Sequence, residues 1–122
     1  MTVTVPRLAV LLDWVAVDRA AAEVTAGLAV TLHVAALHAT RARLSISADS
    51  LRIDAWDGRD WVPVVRWPGP AAHGVAIALS NPTVVFEPLG TAWGLSNTTV
   101  RLSRGSHLAT VTTSRVGRVK RS

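Results

Sequence analysis

The chain has 122 residues, enough for one domain with a real core and too few for two. Apolar residues make up 49% and charged residues 17%, which excludes a disordered polyelectrolyte, and the lack of cysteine excludes a disulfide scaffold or a thiolate metal centre. The net charge of +5 is unevenly spread: residues 1–98 hold seven Arg or Lys against eight Asp or Glu, whereas residues 99–122 hold Arg101, Arg104, Arg115, Arg118, Lys120 and Arg121 and no acid. A basic, acid-free end on a near-neutral body is the footprint of a polyanion-binding edge, and a merely solvated tail has the same composition.

Pro6 suits the first turn of a helix, and no further proline occurs before residue 40, so one helix is predicted over residues 6–39. Val17, Ala21, Val24, Leu28, Leu32 and Ala35 recur at spacings of three and four and form one apolar stripe. At 1.5 Å per residue such a helix is about 50 Å long, more than a domain of this size can cover, so part of it is expected to project. The uncharged run Val24–Thr40 approaches the length of a membrane span. Thr25, Gly27, Thr31, His33, His38 and Thr40 interrupt it, and it reads as a core helix.

After Thr40 the period falls to two. Leu44/Ile46 and Leu51/Ile53/Ala55 predict a hairpin turning at Ala48-Asp49-Ser50. A strand over 61–67 contains Pro63, which assigns it to an edge or a bulge. Residues 68–74 read as a loop, 75–79 and 83–87 as strands parted by Asn81-Pro82, and 88–97 as a glycine-rich connection. Val100/Leu102 and Ala109/Val111 flank Gly105-Ser106 as a second hairpin, and the chain closes as an extended basic segment. One helix followed by six or seven antiparallel strands, without βαβ alternation, predicts an α+β fold with the helix laid on sheet. The organisation is a single domain over 1–122: helix 6–39, antiparallel β region 40–114 and basic tail 115–122.

Enzyme chemistry finds no support. His33 and His38 are five apart on the helix, poor geometry for a shared metal. No serine sits in a Gly-x-Ser-x-Gly elbow, and the cluster Gly90–Gly94 has neither a lysine nor a following helix, so no cofactor, metal or nucleotide is expected. Asp49, Asp54, Asp57 and Asp60 crowd one hairpin with Arg52 and Arg59 beside them and read as a solvated loop. Trp14, Trp56, Trp61, Trp67 and Trp93 read as partly buried core or interface residues, with base stacking as the less favoured role.

Taken in order, the long helix, the strands, Val84-Val-Phe-Glu-Pro-Leu-Gly90, Thr98-Thr-Val-Arg-Leu102 and Val111-Thr-Thr-Ser-Arg-Val-Gly-Arg-Val-Lys120 resemble a GspH/FimT pseudopilin domain. Phe86 and Gly90 take the place of that family's Phe-x-x-x-Gly, and Ser114, Gly117, Arg118 and Lys120 that of its closing Ser-x-x-Gly-Arg-x-Arg. The resemblance runs from Pro6 onward. The family's cleavable leader and Gly-Phe-Thr-Leu-Ile-Glu-like start have no counterpart in Met1–Val5, so those residues are read as standing where a membrane-embedded helix half is removed or left out.

The resemblance implies a pilin-like fold and a non-enzymatic minor subunit of a type IV pilus or type II secretion pseudopilus. Its partners would be other pilin or pseudopilin subunits and, through the absent helix half, the bacterial inner membrane, with the domain displayed in the periplasm or on the fibre. It also implies a role in natural transformation, with double-stranded DNA held by Gly117, Arg118 and Lys120 and supplemented by Arg115, Arg121, Arg101 and Arg104. Residues 118 and 120 of an extended chain project to one side, and Lys120 in place of arginine keeps the charge without the planar fork. The alternatives are a purely structural secretion subunit and, outside the family, a β-rich nucleic-acid module of OB type.

Overall fold

A computed structural model of the chain describes residues 4–89, 98–113 and 119–122. The segment 88–97 read as a connection lies largely outside them, with Gly90 and Trp93, as do Ser114, Arg115, Gly117 and Arg118.

Helix α1 spans Thr4–His38. The expected stripe is its inner face: Val17, Ala21, Val24, Leu28 and Ala35 are buried together with Ala16, Ala20, Thr31 and Val34, while Leu32 packs at the margin. Thr31 is buried because its Oγ1 donates to the Gly27 carbonyl at 2.6 Å, so the hydroxyl is satisfied within the helix. The opening turns do project. Leu8, Val10, Leu11, Leu12, Trp14 and Val15 are all exposed. By length and composition alone, Leu8–His38 is apolar enough to cross a membrane.

Among the described residues eight strands follow, one or two more than the sequence suggests, and they form two sheets. β1 (Ala42–Ile46), β2 (Ser50–Trp56), β3 (Trp61–Pro68) and β5 (Thr83–Phe86) make the first in the order β3-β2-β1-β5. β4 (Ala76–Leu79), β6 (Thr98–Arg104), β7 (His107–Thr113) and β8 (Val119–Arg121) make the second in the order β4-β6-β7-β8. The chain changes sheet at Asn81-Pro82: the Ser80 amide still donates to Thr99 of the second sheet at 3.1 Å, while the Pro82 carbonyl accepts from Ile46 of the first at 2.8 Å.

Pro63 explains both features of β3. The strand lies at the sheet edge, and its register slips where Ile53 faces Val65 but Asp54 faces Pro63, leaving Val64 as a bulge. The β1–β2 turn differs from expectation by one residue, because the Ser50 amide donates to Ser47 Oγ at 3.1 Å and Ser50 itself opens β2. The predicted loop 68–74 contains a short 3-10 turn, Pro70–His73, seated on that hairpin through Gly69 N to Asp49 O (3.0 Å) and Ala71 N to Ala48 O (2.9 Å). A Cβ on Gly69 would stand 2.6 Å from the Ala48 carbonyl oxygen and 2.7 Å from two further backbone atoms. Of the closing basic segment, Val119–Arg121 form β8, an edge strand paired with β7.

Phe86, Leu28, Leu44, Leu51, Ile53, Leu102, Val100 and Val111 are fully buried where α1 lies against the inner faces of both sheets. The solvated reading of the acidic cluster fails at one residue. Asp54 is buried on β2, with Arg43 Nε donating to its Oδ2 at 2.8 Å. Asp57 is exposed, as expected, and its Oδ1 accepts the amides of Asp60 (2.7 Å) and Arg59 (2.8 Å).

Two measurements check this fold. Leu28→Ala should cost about 2–5 kcal/mol in urea unfolding, while Leu12→Ala on the projecting turns should stay within about 0.5 kcal/mol. Hydrogen bonds from the Asp60 and Arg59 amides favour the Asp57 carboxylate and hold its pKa below the ordinary value. The depressed folded-state pKa means that the turn's contribution is present above the unfolded value and lost as pH falls through the folded one. A carboxyl NMR titration should give a lower midpoint for Asp57 in the folded protein than in the urea-unfolded chain.

Candidate nucleic-acid interface

Strand alternation decides what the second sheet shows to solvent. On β6, Val100 and Leu102 are buried and Thr99, Arg101 and Ser103 face outward; on β7, Ala109 and Val111 are buried and Leu108, Thr110 and Thr112 face outward. Directly paired residues share a face, so Ala76 and Ala78 join Ser103 and Arg101, and Lys120 of β8 joins Thr112. The face that results carries two cations, Arg101 and Lys120, with four hydroxyl residues around them and no acid among the described residues. β7 lies between β6 and β8, so the cations stand about 10 Å apart across the strands. Beside Arg101 a shallow cleft of ≈ 340 Å³ is lined by Ala78, Leu79, Ser80 and Thr99, with Ser80 Oγ accepting the Thr99 amide at 2.9 Å.

Two other cations from the sequence-derived set point elsewhere. Arg104, at the end of β6, lies 3.0 Å by its Nε from Asp13 Oδ1, and its Nη1 donates to the His73 carbonyl at 2.9 Å. Arg121 faces the helix side of β8 and pairs with the Asp18 carboxylate, adding a 3.3 Å bond to the Asp18 carbonyl. Glu23 Oε1 meets His73 Nε2 at 3.0 Å. All three acids of α1 are thus held by basic residues that follow the first sheet's hairpins, and Arg104 and Arg121 are helix anchors. Gly105 supports this arrangement: it turns the β6–β7 hairpin at φ +59°, and a Cβ there would stand 2.3 Å from Asp13 Oδ2. Of the remaining predicted residues, Arg115, Gly117 and Arg118 lie outside the described residues, in the segment that links β7 to β8.

The tryptophans divide. Trp14 is half exposed and meets His107 edge to face at 6.1 Å; Trp56 and Trp61 also meet edge to face, at 5.3 Å; Trp67 packs against the core near Gly27. A cleft of ≈ 740 Å³ beside the C-terminal end of α1 is mostly apolar, with His38 and Asp57 as its ionisable lining groups. Among the described residues no group of three His, Cys, Asp or Glu converges as a metal site. The sequence reading missed the hydroxyl face, although the alternation of Thr99, Arg101 and Ser103 signals it. It had no signal for the partners of Arg104 and Arg121.

These placements separate anchoring from binding. Arg104→Ala should lower stability by about 1–2 kcal/mol, through loss of a partly buried ion pair and a charged hydrogen bond, whereas Arg101→Ala should lie within about 0.5 kcal/mol of wild type in the same unfolding experiment.

No family model matches the chain, and no curated protein matches it significantly. Among solved structures it is similar to the type IV minor pilin FimU of Pseudomonas aeruginosa, with a TM-score of 0.72 and 16% identity over 85% of this chain and 86% of that one. A second crystal form of FimU gives a TM-score of 0.71 and 14% identity over 86% and 91%. At these identities the likeness is one of fold: a single long N-terminal helix packed on antiparallel sheets, as in a type IV minor pilin.

Proposed function

We propose that the chain is a minor pilin- or pseudopilin-like subunit that takes its place in a fibre through the projecting turns of α1. The observation that carries this reading is the coincidence of a minor-pilin fold with an apolar helix start, Leu8 to Val15, left bare by its own domain. Exposed apolar surface of that extent costs solubility unless neighbouring subunits cover it, and a helix presented at one end of a domain suits lateral packing in a fibre. A preceding apolar segment would anchor the full-length protein in the inner membrane before assembly. The role needs no catalytic group. The same arrangement serves a type IV pilus and a type II secretion pseudopilus, including a subunit that binds no nucleic acid. The direct test is Leu11→Asp with Leu12→Asp. The domain should keep its circular dichroism spectrum and unfolding midpoint, while the subunit should disappear from the sheared fibre fraction of a piliated cell. Undiminished recovery in that fraction would remove the helix start from the assembly contact.

A second reading, compatible with the first, is favoured by the acid-free outer face of the second sheet: non-specific binding of double-stranded DNA for uptake. Arg101 and Lys120 would contact phosphates, the threonine and serine hydroxyls would add hydrogen bonds, and Arg115, Gly117 and Arg118 would extend the contact from the adjoining segment. Arg104 and Arg121 contribute charge to the neighbourhood while their guanidiniums hold the helix. With about four phosphates engaged, the log–log salt dependence of duplex binding should have a slope near −3 to −4, flattened by about 2 when Arg118 and Lys120 are both alanine. Equal slopes for the two proteins would assign the basic end to solvation alone.

A further inference from the structure

The outward face of the first sheet carries a different set of cations. Register arranges it in rows across four strands: Thr83, Ser45, Arg52 and Arg66 in one, then Val85, Arg43, Asp54 and Pro63 in the next. Beyond them Trp56 faces Trp61. Asp54 is the sole acid in the first two rows, and its side chain is 1% exposed. Arg43 binds it through Nε at 2.8 Å. Arg52 Nε lies 3.2 Å from Oδ1 with its N–H off the line, so that contact is Coulombic and both atoms lack a hydrogen bond within the protein.

Both guanidiniums therefore turn their Nε edge to one buried carboxylate, and among the described residues their terminal nitrogens make no hydrogen bond. Arg43 is further fixed by stacking 4.6 Å above the Trp61 ring. Arg66 stands directly opposite Arg52, a like-charge cross-strand pair that destabilises a sheet unless an anion screens it. Asp49 shares a ≈ 320 Å³ cleft with Arg66 but forms no ion pair with it. A carboxylate buried on the solvent side of a sheet adds nothing to the core and is costly to desolvate. Its effect here is to aim two planar donor forks.

We propose that this face binds single-stranded nucleic acid, the row Thr83, Ser45, Arg52 and Arg66 receiving the phosphates, with Asp54 as the positioning residue for Arg43 and Arg52. Arginine forks match phosphate oxygens in pairs, and the two hydroxyls on the same row supply further donors. The Trp56–Trp61 pair beside them offers an aromatic surface usable by an unstacked base and not by a duplex, which selects the single strand. This site shares no residue with the second-sheet interface and stands without it.

The experiment is fluorescence anisotropy of a labelled oligothymidylate against the whole chain and three variants. One phosphate contact to a single strand contributes a salt slope of about 0.7, which is about five-fold in affinity at 0.1 M salt. Arg66→Ala, an exposed and unpaired position, should bind about five-fold more weakly with that shallower slope, and Arg52→Ala similarly. Asp54→Asn is the discriminating variant: net charge alone predicts tighter binding, whereas loss of the aimed forks predicts weaker binding. Equal affinity for wild type and Arg66→Ala, or no binding by wild type, overturns the site, and tighter binding by a folded Asp54→Asn overturns the role of Asp54. Arg66→Ala should weaken oligothymidylate binding more than duplex binding and Arg101→Ala the reverse, so failure here and failure of the duplex reading remain distinguishable.

Discussion

One helix face has to serve two separate sheets, and that constraint organises the molecule. The inner stripe of α1 uses small residues, Ala16, Ala20, Ala21 and Ala35, between larger ones such as Val24 and Leu28, so that strands of both sheets come close to a single rod. A bulkier stripe would hold one sheet off the helix and open a gap beneath it, since protein interiors tolerate few voids larger than water. Gly27 marks the limit, because a Cβ there would stand 3.1 Å from the Trp67 ring and 3.4 Å from Leu44. Apolar contact alone leaves a helix free to slide along its axis. Directional contacts from Asp13 and Asp18 to Arg104 and Arg121 of the second sheet, and from Glu23 to His73 of the 3-10 turn, fix its position.

With the helix fixed, each sheet has its other face available to solvent, and alternation lets the two differ. The second sheet shows hydroxyls and two widely spaced cations. The first shows arginines gathered around a buried carboxylate, next to aromatic rings. Sheets of similar size and topology thus carry surfaces of different chemistry. That difference arises from period-two patterning, with no change in the core beneath.

Much of this was legible in the chain. The helix, its inner stripe and the projection of part of it follow from the spacing of Val17, Ala21, Val24 and Leu28 and from a length that no small domain can cover. Pro63 announced an edge strand or a bulge, and β3 has both, because proline has no amide to give to a ladder. Gly105-Ser106 fixed the register of the second hairpin. What could not be read were contacts between residues far apart in sequence: no local pattern says that Arg121 meets Asp18, or that Asp54 is buried while Asp57 three residues later is exposed. The division into two sheets was hidden for the same reason, since the strands on either side of Asn81-Pro82 look alike and only their partners differ. The candidate DNA-binding set was legible as charge, but its split into outward cations and helix anchors depends on which face of β6 and β8 each residue occupies.

The tie between Arg121 and Asp18 joins positions 103 residues apart. It acts on a three-residue edge strand whose neighbour in the sheet is β7 alone. A short edge strand paired on one side only lifts more readily than the strands inside the sheet when the molecule breathes. When it lifts, the Thr110 amide loses the Ser122 carbonyl and the helix loses one anchor, while Lys120 swings away from Arg101 in the same event. Opening of the edge and spacing of the outward cations are one coordinate, so whatever clamps β8 in place also fixes the pitch at which the outer face presents its charge.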